Sequence, residues 1–319
     1  MSFNSIKGQD KAIQMIRGYI EQSRLEGGYL FAGPEGVGKK LVAKTLAKAV
    51  NCLSDNLEAC EQCSSCKKIE NNQHPDMHFI EQADSEIKIE YIRGLQREMS
   101  LRPYEAKRKV FIIDNAHNLT AEASNCLLKI LEEPPPSSLI ILISDKPALL
   151  FKTIISRCKV LKFPPLPRLA LKEIIKNDYG LDNNTAHFLA YFSEGRLGRA
   201  LKLKDTDIIR EKNAIIDKLT LFSKPNLGNL DIQNKDEIRS YLNILATWFR
   251  DIYLIKIGMP HSEIINFDRK DELLKIMNRF SFPDLNHILS SISDSIVYLS
   301  QNINNKLVLY NLGVQLCKE

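Results

Sequence analysis

Gly33-Pro34-Glu35-Gly36-Val37-Gly38-Lys39-Lys40 stands between an apolar run, Tyr29-Leu30-Phe31-Ala32, and an amphipathic one through Leu41, Ala43, Leu46, Ala47 and Val50. A glycine-rich turn that leaves a buried strand and opens a helix is the setting a phosphate-binding loop needs. Glycines let backbone N–H groups turn inward around phosphate oxygens, and Lys39 adds charge beside them. The rest of the first half repeats the alternation. Met77-His78-Phe79-Ile80, Val110-Phe111-Ile112-Ile113-Asp114, Leu139-Ile140-Ile141-Leu142-Ile143 and Val160-Leu161-Lys162-Phe163 read as strands. Ile89 to Met99 and Ala121 to Leu131 have helical spacing, the second stopped by Pro134-Pro135-Pro136, and Ala148 to Ile155 reads as a short helix. Continuous apolar strands alternating with helices predict an α/β fold, a parallel sheet covered on both faces.

The loop departs from the working pattern at its last position. A Ser or Thr hydroxyl usually holds Mg²⁺ there, whereas Lys40 offers only donors and positive charge and cannot ligate a cation. A second departure follows the third strand. Asp114 could assist a metal, but Asn115 stands where a carboxylate would orient the attacking water, and an amide cannot take that proton. Gly33, Gly36, Gly38, Lys39, Lys40, Asp114 and Asn115 therefore outline a degenerate nucleotide site. A glycine turn that binds nothing, with Asp114 capping the following turn, accounts for the same residues.

Four of the seven cysteines, Cys52, Cys60, Cys63 and Cys66, fall within fifteen residues in the spacing C-x7-C-x2-C-x2-C. Four thiolates complete the tetrahedral shell of a structural zinc ion and leave no open position for chemistry. An iron–sulfur cluster or metal-free thiols compete with that reading. Cys126, Cys158 and Cys317 lie in apolar surroundings and read as small core residues. His74 and His78 are superfluous to a complete shell, and His74-Pro75 reads as a turn.

No apolar run of about 18 residues exists, so no membrane span is expected. The start, MSFNSIKGQDKAIQ, lacks an apolar signal core, which predicts a cytoplasmic protein. A net charge of +5 is too mild to demonstrate nucleic-acid binding. Arg93, Arg97, Arg102, Lys107, Arg108 and Lys109 make the most basic stretch, but a solvated helix face and a charged loop explain them equally well, and no site is assigned there. Pro164-Pro165-Leu166-Pro167 marks a boundary. The expected organisation is a phosphate-loop domain over residues 1–165 with the cysteine insertion at 52–66, a small helical group over 166–207, and an all-helical domain over 208–319.

The ordered set formed by Tyr29-Leu30-Phe31, the cysteine cluster, His74-Pro75-Asp76, Asp114 to His117, Leu127-Leu128-Lys129-Ile130-Leu131-Glu132-Glu133-Pro134 and Ser156-Arg157-Cys158 resembles the AAA+ subunits of the bacterial DNA polymerase III clamp loader. The resemblance covers about residues 5 to 204. It implies a five-strand parallel sheet, a helical lid and a helical collar that joins neighbouring subunits. Motor subunits of that family (gamma and tau) carry an intact loop threonine and an Asp-Glu pair, so Lys40 and Asn115 favour the delta-prime branch, which lacks a working ATP site. The position of the motors' nucleotide-sensing arginine falls on Gly198, within Gly195-Arg196-Leu197-Gly198-Arg199-Ala200, although one residue of slippage would bring Arg199 or Arg196 to it.

The resemblance also implies that Ser156-Arg157-Cys158 lies at a subunit boundary. Arg157 would there reach the γ-phosphate held by a neighbour, acting as an arginine finger in trans. Implied partners are the gamma/tau and delta subunits, the sliding clamp and primed DNA, in a hetero-oligomer without membrane contact. The competing expectation is an ATP-hydrolysing motor subunit that tolerates Lys40 and Asn115.

Overall fold

In the computed structural model, the described residues are 2–54, 58–82, 85–221, 234–301 and 303–316. They fall into two compact units. One runs to Leu166 and includes Arg196–Arg199; the other takes Pro167–Gly195 and the chain from Ala200 onward.

The first unit is built on five parallel strands, β1 (Gly27–Ala32), β2 (Met77–Ile80), β3 (Lys109–Ile113), β4 (Ser138–Ser144) and β5 (Cys158–Lys162), in the order β2-β3-β4-β1-β5. The register sets Leu30 beside Leu142 and Val160, and Ile112 beside Ile141 and Phe79. Alternate strand residues feed two apolar layers, as a doubly covered sheet requires. On one face Tyr29, Phe31, Ile112 and Ile141 meet Ile13 and Ile16 of α1 (Asp10–Glu21) and Val42 and Leu46 of α2 (Lys39–Asn51). The helix α3 (Ser64–Glu70) lies within the cysteine insertion. On the other face Leu30, Phe111, Ile140 and Leu142 meet Ile92 and Leu95 of α4 (Ile89–Ser100) and Leu127 and Ile130 of α5 (Ala121–Glu132). The strands lie where the apolar runs predict them.

Two local expectations need correction. The segment from Ala148 to Ile155 is not one helix: a 3₁₀ turn at Pro147–Leu149 is followed by α6 (Lys152–Ile155). Leu150 between them is extended and buried, with Leu149 and Phe151 exposed on either side, an in-and-out alternation that a helix cannot supply. Cys126 and Cys158 are half-buried against the layer on the α5 face, not fully inside it. Cys317 lies outside the described residues.

The His74-Pro75-Asp76 turn is an anchor. The Asp76 carboxylate accepts the backbone N–H groups of Tyr104, Glu105 and Ala106, each at 2.8 Å, and so holds the loop that leads into β3. Burial works against its charge, but the three donors outweigh it and hold the carboxyl below the usual carboxylate range. Asp76→Asn should cost about 2–4 kcal/mol near neutral pH, because an amide cannot accept all three donors. A carboxyl with a depressed folded pKa stabilises above its unfolded value and loses that contribution as pH falls through the folded one. The gap between wild type and Asp76→Asn should therefore close below about pH 4. Denaturant unfolding of both proteins across pH 2–7 measures it, and a gap that stays constant refutes it.

The second unit is all-helical among its described residues: α7 (Arg168–Tyr179), α8 (Asn183–Phe192), α9 (Leu197–Lys204, whose first turn belongs to the first unit), α10 (Ile208–Leu221), α11 (Lys235–Lys256), α12 (Lys270–Ile276), α13 (Phe282–Ser300) and α14 (Asn305–Leu316). Trp248, Leu242 and Leu245 of α11 and Leu285 and Ile292 of α13 are buried. Asp251 is fully buried, and accepts the backbone N–H groups of Ile265 at 3.0 Å and Asn266 at 2.7 Å. No helix among the described residues is long and apolar enough to cross a membrane.

Candidate functional site

The strand order brings the ends of β1, β4 and β3 side by side, at the carboxyl edge where open α/β sheets hold ligands. The glycine loop leaves β1, Ser144-Asp145 leaves β4, and Asp114-Asn115 leaves β3. Gly36 (φ 80°) and Gly38 (φ 98°) take the left-handed conformations that turn the loop into α2.

Both lysines of the loop are engaged. The buried Lys39 ammonium donates to the carbonyls of Gly33 at 2.6 Å and Pro34 at 2.7 Å, closing on its own loop. Burial pulls its pKa down, against the pull of Asp145, Asp114 and Glu35. Lys40 pairs with Glu81 at 2.5 Å and stands 4.0 Å from Asp114. Asp114 also accepts the backbone N–H of Asn115 at 2.9 Å, so it does cap the turn. Asn115 itself is left-handed at φ 50°, a conformation asparagine tolerates better than most residues.

Gly198 rests directly on the loop. Its N–H donates to the Gly36 carbonyl at 2.7 Å, and a Cβ at residue 198 would stand 2.8 Å from that oxygen. No side chain fits there without moving the loop. Arg196 and Arg199 flank this backbone contact in the sequence.

Four residues of this region carry no site role in the sequence reading: Glu81, Ser144, Asp145 and His117. His117 Nδ1 lies 3.3 Å from Ser144 Oγ and 3.3 Å from Asp145 Oδ1, and burial lowers the pKa of the ring. The signal available for three of them was position, since Glu81 and Ser144-Asp145 end apolar runs just as Asp114 does.

The thiol cluster forms at the far end of α2. The Sγ atoms of Cys52, Cys60, Cys63 and Cys66 all lie within 4.8 Å of one another. A tetrahedral ion with bonds of about 2.3 Å to sulfur sets the thiolates about 3.8 Å apart, so small side-chain adjustments close the shell. The backbone N–H groups of Cys60, Cys63 and Cys66 point at the sulfurs of Cys52, Cys60 and Cys63, at 3.4, 3.3 and 3.4 Å. Amides of Cys63 and Gln62 hold the Cys60 thiol down to about 6, whereas burial pushes Cys66 up to about 12. The donor set and spacing fit a metal ion.

Arg157 follows α6 on the surface of the same unit. Its guanidinium donates to Thr153 O at 3.1 Å and pairs with Glu132 at 2.6 Å, with about a third of the side chain exposed (35%). Cys158 beside it turns inward, and burial raises its thiol to about 12. It packs behind Gly28, where a Cβ would stand 3.1 Å from Cys158 Sγ and 2.5 Å from Leu131 Cδ2. The motif thus pairs an inert packing residue with a surface cation. Within the basic stretch, Lys109 is buried with its ammonium on Glu98 O at 2.9 Å, and Arg108 reaches Leu25 O at 2.5 Å. Arg93, Arg97, Arg102 and Lys107 are exposed.

Comparison with known proteins identifies relatives of the chain. The family model described as DNA polymerase III, delta subunit, matches residues 8–167, and a C-terminal model of the same delta family matches residues 213–316. DNA polymerase III subunit delta' of Bacillus subtilis is 34% identical over 261 residues, 78% of each chain. Subunit tau of the same organism is 28% identical over 303 residues, covering 86% of this chain and 54% of tau. A DNA polymerase III gamma subunit-related protein from Thermotoga maritima aligns over 95% of this chain and 97% of its own, with 18% identity and a TM-score of 0.46. By its matched models and its delta' relative, the chain belongs to the delta-prime family of DNA polymerase III clamp-loader subunits.

Proposed function

We propose that this chain is a non-hydrolysing stator of the clamp loader, helping to place the sliding clamp on primed DNA and lending Arg157 to the nucleotide of a neighbouring motor subunit. The observation that carries the reading is the state of its own phosphate loop. Lys40 replaces the hydroxyl that would hold Mg²⁺ and pairs with Glu81 beside Asp114. Asn115 supplies no general base, and Gly198 leaves no room for a sensing arginine. The positions that hold Mg²⁺ and orient the attacking water in the motor subunits thus carry Lys40 and Asn115 instead.

Arg157 is suited to the work that remains. A guanidinium is permanently charged and offers a planar fork of donors to developing phosphoryl charge. The Glu132 carboxylate holds it at the partly exposed surface, where a neighbour's γ-phosphate could replace that partner. In the same reading the partners are the gamma/tau and delta subunits, the clamp and primed DNA. Residues 166–207 form the lid, and those from 208 onward form the collar that joins subunits. The four cysteines hold zinc: a span of 4.8 Å suits one ion at the centre, while a multi-iron cluster would spread its thiolates wider. Zinc would supply no reaction step and would fold the insertion.

The purified chain with Mg²⁺·ATP should show no turnover above background. Turnover that disappears in Lys39→Ala would establish the motor reading instead.

A further inference from the structure

Lys40 is more than a missing hydroxyl, because its ammonium has a defined place. It leaves the first turn of α2 and lies 2.5 Å from a Glu81 oxygen and 4.0 Å from an Asp114 oxygen. The two carboxylates come from neighbouring strand ends, Glu81 just after β2 and Asp114 just after β3. In a working phosphate loop, the residue at position 40 and the strand-end carboxylate together hold the divalent cation. Here a monovalent cation borne on the chain meets that same carboxylate. Glu81 adds a second acid, 2.5 Å from the same ammonium.

We infer that the Lys40 ammonium is a built-in counter-ion, standing where a divalent metal would bind between Asp114 and Glu81, so that the native cradle excludes Mg²⁺ and loss of Lys40 opens a divalent-cation site. Mg²⁺ and Mn²⁺ are hard ions that take carboxylate and hydroxyl oxygens. An ammonium close to both acids repels an incoming dication and satisfies the carboxylates that would bind it. With Lys40 gone, two negative groups remain without a cation between them, an arrangement that a metal relieves. A hydroxyl at position 40 adds a third oxygen. Lys40 and Glu81 are substantially exposed, with 44% and 55% of their side chains accessible, so the exchange does not hollow out a core.

The inference rests on reading the phosphate loop as metal-free, but it is tested without nucleotide, so its failure is distinct from a positive ATPase result. Mn²⁺ titration of the full chain, followed by electron paramagnetic resonance of free Mn²⁺, is the measurement. Wild type should bind Mn²⁺ no better than the Asp114→Asn variant. Lys40→Thr should take one equivalent at least tenfold more tightly, and Lys40→Thr combined with Asp114→Asn should lose it. Lys40→Ala, which lacks the hydroxyl, should shift in the same direction by less and decides the matter if Lys40→Thr does not fold. Two outcomes overturn the inference: wild type binding one Mn²⁺ as tightly as Lys40→Thr, or folded Lys40→Thr and Lys40→Ala both binding no better than wild type.

Discussion

Removing the metal from the Cys52–Cys66 cluster should release the insertion from the first unit and lower the melting temperature by roughly 10 °C. Among the described residues, the cluster itself buries only Ala59 besides Cys52 and Cys66, while Ile69 of α3 reaches the core of the sheet. In the zinc reading proposed above, the ion supplies the cross-link that so small a cluster lacks. What the insertion grips makes the loss costly. Glu58 accepts the backbone N–H of Phe3 at 3.2 Å and the Arg17 side chain at 2.8 Å. Glu61 and Glu70 both pair with Lys48, which is buried on α2. Burial opposes the Lys48 charge, and those two carboxylates restore it to above the usual lysine range. A buried ammonium deprived of its partners costs about 3–5 kcal/mol, and in a unit of this size each kcal/mol moves the melting point by about 2–4 °C. Cys63→Ser should show the same fall, together with faster proteolysis near α3. Elemental analysis of fresh, reduced protein should give one zinc per chain. Absence of zinc, or an unchanged melting curve after chelation, would falsify the site.

Arg157→Ala should slow hydrolysis at the neighbouring motor site on the order of 10³-fold while leaving the loader assembled. The fold should hardly notice, because the Arg157–Glu132 pair is exposed on both sides (35% and 49%) and such pairs contribute about 0–1 kcal/mol. Arg157→Lys should rescue little, since an ammonium keeps the charge but not the fork of donors. DNA-stimulated ATPase of a reconstituted loader, with assembly followed by gel filtration, separates the two effects. Unchanged turnover in an intact complex would remove Arg157 from the mechanism.

The basic stretch at 93–109 shows how charge in a sequence divides once it folds. Residues 93 and 97 stay on the solvent side of α4, whereas Lys109, at the start of β3, turns inward to the Glu98 carbonyl in α4. Composition cannot make that distinction, because a lysine stem is apolar enough to be buried when its ammonium finds acceptors. The same limit applied to His74-Pro75-Asp76. Its turn was legible, but its three backbone donors lie 28 to 30 residues further on.

By itself, the sequence located the strands, the glycine loop between β1 and α2, the unusual residues Lys40 and Asn115, and the thiol cluster. Each of these is written in local spacing: continuous apolar runs for a doubly covered sheet, glycines for the turn, short intervals for four thiols around one ion. Tertiary structure alone decided what became of the damaged loop. The strand order brought both Glu81 and Asp114 within 4.0 Å of the Lys40 ammonium, and a chain segment more than 150 residues away laid Gly198 against Gly36. Those contacts depend on which strand ends become neighbours and on how closely two backbones approach, and neither quantity has a period along the chain.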